Sequence, residues 1–392
     1  MQTFDWIVIG NGITGAMLSY ELTQAGHSVL LLEQSVTPSN ATRYSYGGIA
    51  YWAGTTELTR QLCQEGIERY RQLSEELNAD VQFRELDLLL TISQGRDPEA
   101  IAATYANVAI PPQPLSLDEA CGLEPLLNRG AIAGALTVRH GHIHPLGTVQ
   151  AFNQAFQRLG GVLEYAQVTE LVRAENRITG IKTPNTDYFA SQMAVCAGGS
   201  SRALLNATGI AVPLCFSRAE LIETAPVEPQ LRVMVMPAEL KRFELEAKAG
   251  DPDMNAFWDQ PGHELAPAIL DPGLIQFQDG SLRIGQISRA LSDRQAQTDA
   301  DASEIAMRSA IGTLFPALQA VPGRWQTCSV AFTGDRLPLV GPIPGLEGIH
   351  LFSGFSNPLA ILLPTAVRFA RWLNGEHDPL IEQMAPARFS KS

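Results

Sequence analysis

Lysine is scarce in this chain. Of 392 residues only Lys182, Lys241, Lys248 and Lys391 are lysines, and acidic residues outnumber basic ones 41 to 28. A formal charge of −13 leaves no clustered basic face to displace phosphate counterions, which excludes a reader of nucleic-acid backbones. The acidic surplus reads as a solubility feature. Cysteine is sparse too: Cys63, Cys121, Cys196, Cys215 and Cys328 are odd in number, widely spaced and without a C-x-x-C pair. They fit neither a disulfide framework nor a zinc site, and favour a reducing, cytoplasmic setting. The opening residues MQTFDWIVIG carry no basic stretch before their apolar run, so no secretory signal is expected. No apolar run reaches the roughly 20 residues of a membrane span. The nearest, 349–373, is interrupted by Ser353, Asn357, Pro358, Pro364, Arg368 and Arg371.

What is present is enough apolar residue, 45%, to bury a large core, in a chain longer than one ordinary domain. Two interlocked domains are expected. Residues 5–9 read as a strand, 13–25 as a helix ending at Gly26, and 28–32 as a second strand, a β-α-β unit. A long helix is expected over 55–78, with Leu58, Leu62, Ile67, Tyr70, Leu73 and Leu77 on its packed face. Strands are expected at 86–92 and 131–138, a helix at 146–159, and strands at 162–172, 177–183 and 190–196. In the middle of the chain, apolar runs at 219–224, 232–236, 273–277 and 282–287 predict a second, antiparallel sheet, with a long loop over it at 251–272. Helices at 300–315 and 359–374 follow. The fold class is α/β: a parallel-sheet domain is expected from 1–80, 146–211 and 325–392, interleaved with an antiparallel-sheet domain from 81–145 and 212–324.

The chemistry begins at Gly10-Asn11-Gly12-Ile13-Thr14-Gly15, which follows a strand, opens a helix and precedes Glu33 at the end of the next strand. Gly10 permits the tight turn, Gly12 lets a pyrophosphate approach the backbone, and Gly15 lets the helix sit close to the sheet. Free amides and the positive dipole end of the helix stabilise two phosphates. Glu33 can accept hydrogen bonds from an adenosine ribose and would repel a 2′-phosphate. The motif reports an adenine dinucleotide, disfavours NADP and leaves FAD and NAD both open. Placement at the head of the chain, with later segments returning to the same domain, favours FAD: the expected architecture is a Rossmann-like FAD-binding domain of 1–80, 146–211 and 325–392, interleaved with an antiparallel-sheet substrate domain of 81–145 and 212–324.

Several further segments fall in a shared order. They are Ala41-Thr42-Arg43-Tyr44-Ser45-Tyr46-Gly47-Gly48-Ile49, His144-Pro145 leading into a helix, the stretch around Val168, Cys196-Ala197-Gly198-Gly199, Gly280–Gly285, and Asp335–Gly341 followed by Gly354. Together with the glycine motif they resemble the D-amino-acid oxidase and glycine oxidase family of FAD-dependent oxidoreductases across nearly the full length. The resemblance implies FAD contacts at Gly10, Gly12, Ile13, Thr14, Gly15, Glu33, Gln34, Thr42, Arg43, Gly47, Gly48, Val168, Gly198 and Gly354. It adds the run Phe355, Ser356, Asn357, Pro358, Leu359, Ala360 and Ile361 at the start of the last helix, whose N-terminus would stabilise negative charge on reduced flavin.

The departures from the family are informative. An arginine that anchors the substrate carboxylate in glycine oxidase-like members is Val330 here, and a second is Asn357. Sarcosine-oxidase relatives place a lysine over the flavin, and none occurs in 280–390. Substrate contacts are therefore sought at Arg43, Tyr46 and Tyr51 on the flavin loop and at Arg283 and Arg289, expected to bracket the strand facing the isoalloxazine, with Val330 and Asn357 at the departed positions. The flavin accepts the hydride, so no dedicated acid-base pair is required. The expected reaction is oxidation of the C–N bond of a small amine or amino acid to an imine that water hydrolyses, with O2 or a quinone-like carrier as electron acceptor. A 2-hydroxyacid or alcohol dehydrogenase on the same fold, with His144 or His263 as base, and a flavin-binding protein without turnover are the alternatives. No metal is expected: His140, His142 and His144 alternate along one stretch, but no partner ligands complete a set, and a strand ending in a turn at Pro145 explains them. Met234 and Met236 read as core filler.

Overall fold

The computed structural model describes residues 3–239 and 241–390. The chain opens as expected with a strand β1 (Phe4–Ile9), a helix α1 (Ile13–Gln24) and a parallel strand β2 (Val29–Glu33). Every residue of β2, Val-Leu-Leu-Leu-Glu, is buried, because a central parallel strand is covered on both faces and has no water side to alternate toward.

These strands sit in the middle of the first sheet. Its spatial order is Leu339–Pro342, Ile349–Ser353, Asp187–Val195, β1, β2 and Val162–Tyr165, parallel except at the 339–342 edge. An antiparallel ribbon, Glu170–Ala174 with Arg177–Lys182, continues from it through Asp187–Val195. On one face α1 packs between the helices Pro145–Arg158 and Pro358–Leu373, and their apolar sides form the largest core. On the other face Ile7, Ile9, Leu30 and Leu32 pack with Leu205, Ile210 and Leu214.

The second sheet runs Gly323–Phe332, Cys215–Thr224, Leu282–Leu291, Glu264–Gln276, Met234–Pro237, Arg84–Ser93, Ile132–His142 and Gly48–Ile49. It is antiparallel except where Met234–Pro237 runs parallel to Arg84–Ser93. The helix Ala300–Leu314 covers part of it through Met307 and Ile311. The two sheets exchange chain repeatedly. Gly48–Ile49 and Gly323–Phe332 lie in the second sheet, although the expected division gave 1–80 and 325–392 to the first unit.

Two expectations are corrected. The helix expected over 55–78 is two helices, Glu57–Tyr70 and Leu73–Leu77. The chain turns at Arg71 and Gln72 because Leu73 and Leu77, both fully buried, must face the helix Pro145–Arg158 rather than continue the first axis. The loop expected over 251–272 is a 3-10 segment, Pro252–Asp259, followed by the strand Glu264–Gln276. Pro267, Asp271 and Pro272 fall where its pairing with Leu282–Leu291 slips, between Ala266 and Ile269 and between Leu270 and Gly273. At such bulges a proline costs no ladder hydrogen bond and a side chain can be re-aimed.

Candidate functional site

The turn after β1 is built as its glycines suggest. Gly10 has φ +103°, and a Cβ there would lie 2.8 Å from the Cys196 carbonyl oxygen. A Cβ on Gly15 would lie 1.8 Å from the Gly10 carbonyl oxygen, so only glycine lets α1 approach the strand end this closely. The N-cap of α1 is Gly12, which has no side chain to occupy the first amides, and the Ile13 amide donates to Thr42 Oγ1 at 2.9 Å. Glu33, buried at the end of β2, accepts from the amides of Asn11 at 2.9 Å and Ser35 at 3.1 Å. An uncapped helix N-terminus beside a fixed carboxylate is a cradle for phosphate next to a ribose.

This cradle is one end of a cavity of about 1700 Å³, larger than the roughly 300–1000 Å³ of a usual small-molecule pocket. Gly10, Gly12, Ile13, Thr14, Glu33, Gln34, Thr42, Val168 and Gly198 border it. So do Gly48, Gly354, Phe355, Ser356, Asn357, Pro358, Leu359 and Ile361, together with Tyr46 and Val330. Gly15 and Ala360 stand behind the wall as packing positions, and Gly47 is enclosed against Ile143 and His142.

Four substrate candidates lie elsewhere. Arg43 and Arg283 share the carboxylate of Glu223, at 2.6 and 2.7 Å, and neither borders the cavity. Tyr51 is buried and donates its hydroxyl to Glu85 at 3.0 Å. Arg289 is on the strand expected to face the ring system, but its guanidinium reaches Glu220 at 2.6 Å and Ser303 on the helix Ala300–Leu314. That strand turns Gln286 to the cavity instead. The three histidines are not a metal face. His140 and His142 lie on the strand Ile132–His142, while His144 caps the next helix by accepting from the Gly147 amide. No group of His, Cys, Asp or Glu among the described residues could hold a metal ion. Met234 and Met236 pack in the core and also border the cavity.

The wall holds unpartnered and charged polar groups, of which Tyr46 and Ser356 are expected from the sequence and His140, Arg242 and Asp271 are not. His140 Nδ1 accepts from the Trp52 indole at 3.0 Å, and burial lowers the imidazole pKa to about 3. The ring is therefore neutral with its proton on Nε2, a buried donor that has no partner among the described residues. Ser356 Oγ and Tyr46 Oη are likewise buried and unpartnered, and burial pushes the Tyr46 hydroxyl pKa up. Arg242, on the helix Lys241–Ala249, and Asp271, at a bulge of the strand Glu264–Gln276, also face the cavity. Desolvation raises the Asp271 pKa to about 6 against the pull of Lys241 and Arg242. Neither residue lies in a motif, and Asp271 sits inside what reads as a loop.

Orphaned donors along the wall, an open helix terminus and a fixed carboxylate at the cavity's end suit a long, phosphate-bearing ligand with a hydrogen-bonding ring. The comparisons agree. The family model for FAD dependent oxidoreductases, DAO, matches residues 5–372. The chain is similar to 4-methylaminobutanoate oxidase (formaldehyde-forming) of Paenarthrobacter nicotinovorans, at 28% identity over 58% of this chain. The match spans only 28% of that protein's own length. It is also similar to glycine oxidase of Pseudomonas putida, at 23% identity over 96% of each chain. In fold it matches the crystal structure of glycine oxidase from Geobacillus kaustophilus with a TM-score of 0.79, at 17% identity and 99% coverage of both chains. Motif, sheet order and family model converge: the chain belongs to the DAO family of FAD dependent oxidoreductases, and FAD is its cofactor.

Proposed function

We propose that this chain oxidises the C–N bond of a small amine or amino acid. The adenosine end of FAD is assigned to Glu33 and Val168, the pyrophosphate to the open terminus of α1, and the ring system to the space between Gly48 and Gly354–Ile361. The carrying observation is that one cavity joins the phosphate cradle to a chamber bordered by free hydrogen-bonding groups, His140 and Asp271 of the second sheet among them. When bound, FAD supplies the hydride acceptor.

The chain's own residues do the rest. The helix Pro358–Leu373 has no side-chain cap at Asn357, whose amide donates instead to the Ala50 carbonyl at 3.2 Å. Its first amides and dipole are thereby left to stabilise negative charge at the cavity. Neutral His140 offers a fixed Nε2–H, and the apolar wall formed by Trp52, Leu88, Leu90 and Met234 excludes water from the reacting carbon. The first sheet and its helices serve as the FAD-binding unit and the second as the substrate unit. The electron acceptor is O2 or a quinone-like carrier, and the lack of any lysine between Lys248 and Lys391 favours the carrier. Five unpaired cysteines are consistent with a reducing, cytoplasmic setting, and no helix among the described residues is long and apolar enough to cross a membrane.

A 2-hydroxyacid dehydrogenase needs a base at the substrate. His144 caps a helix and His263 packs on Phe257, and neither borders the cavity. The reading is tested by mixing the yellow protein anaerobically with panels of amino acids, amines and 2-hydroxyacids. Bleaching of the flavin by a compound with an oxidisable C–N bond is expected. Bleaching only by hydroxyacids would overturn the reading.

A further inference from the structure

We propose that Arg242 and Asp271 together anchor a zwitterionic substrate, the guanidinium taking its carboxylate and the Asp271 carboxylate its amino nitrogen, so that the substrate is an amino acid rather than a plain amine. This rests on the C–N reading above and names the substrate class of that same cavity.

The positions where the family resemblance leads one to seek carboxylate anchors cannot serve. Val330 is apolar, and the Asn357 amide is engaged by Ala50. Arg242 is built to replace them. Its Nε donates at 2.8 Å to Glu246, whose side chain is fully buried, so the inner edge of the guanidinium is fixed. Its two terminal nitrogens make no hydrogen bond among the described residues, while the residue borders the cavity. A planar fork pinned at one edge and open at the other suits bidentate capture of a carboxylate.

Asp271 is the complementary group. The slip between Leu270 and Gly273 breaks its strand's pairing, and the residue borders the same cavity at 6% exposure with Oδ1 lacking any donor. It lies in the field of Arg242 yet forms no ion pair with it among the described residues. Tyr46 Oη, also unpartnered, lies in the field of Asp271. An opposed charge pair that is near but unjoined leaves room for something between. An amine alone would leave the terminal nitrogens of Arg242 without an acceptor, and a carboxylate alone would leave Asp271 Oδ1 buried without a donor. A zwitterion satisfies both, and buried groups left without partners are what give a site its power to reject analogues.

The test uses the FAD-loaded protein under anaerobic conditions. D- and L-amino acids and their N-methyl forms are screened for flavin reduction, and the best is compared with its decarboxylated amine. The amino acid is expected to exceed the amine in kcat/KM by about 100-fold or more. Arg242→Gln is expected to raise the KM of the amino acid about 100-fold with a much smaller change in kcat, bringing the ratio to within about 10-fold. Should Arg242→Gln fail to load FAD, Arg242→Lys keeps the charge but loses the fork, and its KM should rise about 10-fold. Propionate, carrying a carboxylate and no amine, should perturb the flavin spectrum of Asp271→Asn but not of Arg242→Gln. An amine as good as its amino acid in the unsubstituted protein, or a substitution of Arg242 that lowers both equally, overturns the anchor. Reduction by 2-hydroxyacids alone overturns instead the C–N reading and, with it, the role of Asp271.

Discussion

Trp52 donates its indole N–H to His140 Nδ1 at 3.0 Å inside the wall of the cavity. An indole only donates, so this bond fixes which nitrogen of the neutral imidazole carries the proton. Trp52→Phe leaves Nδ1 buried without a donor and frees the ring to turn over. The expected loss is about 1–3 kcal/mol of stability, read from the urea midpoint. An unchanged midpoint would mean that the bond does not hold the ring.

Gly15→Ala tests the packing of the phosphate cradle. A methyl group 1.8 Å from the Gly10 carbonyl oxygen cannot be housed without displacing α1 from the strand end. We expect protein purified with little or no flavin and destabilised by about 1–3 kcal/mol. Full flavin content, measured as the ratio of flavin to protein absorbance, would contradict the close approach.

Arg289 is a candidate in the sequence and a structural residue in the fold. Removing it leaves Glu220, whose side chain is fully buried, with the Trp325 indole as its remaining donor at 3.1 Å. Arg289→Met should cost about 3–5 kcal/mol of stability while leaving substrate KM within about 2-fold. A large rise in KM without loss of stability would return Arg289 to the substrate site.

Burial raises the Asp271 pKa from 3.8 to about 6. The folded state without substrate then binds this proton more tightly than the unfolded chain does. Stability is accordingly lost as pH rises from 3.8 through about 6, and the whole cost is present above that. Asp271→Asn should therefore gain stability relative to the unsubstituted protein by about 3 kcal/mol at about pH 7.5 and little at about pH 4. A difference independent of pH would show that Asp271 does not titrate in this range.

Most of the nucleotide half of the fold is legible in the sequence. Gly10, Gly12, Gly15 and Glu33 announce themselves because close backbone approach and a carboxylate fixed by the amides of the turn leave few residue choices, and their contacts are local. The substrate half is harder to read. Arg283 and Arg289 are indistinguishable on a strand from cavity-facing residues until Glu223 and Glu220, some 60–70 positions earlier in the chain, are seen to claim them. Asp271 hides between prolines because a bulge looks like a loop when its partner strand is unknown. Arg242 has no motif at all: its role depends on Glu246 one helical turn away and on a cavity assembled from distant segments. Long-range pairing, rather than local propensity, decides each of these cases.

Nitrogen balance in a single turnover tests C–N oxidation most directly. The FAD-loaded protein is reduced anaerobically with one equivalent of its best amino-acid substrate, quenched, and assayed for free ammonia or amine and for the matching carbonyl product. Oxidation of the C–N bond of an acyclic amino acid predicts one nitrogen released, as ammonia or amine, for each flavin reduced. A colourless protein that takes up no added FAD, or flavin reduced with no nitrogen released, would contradict it.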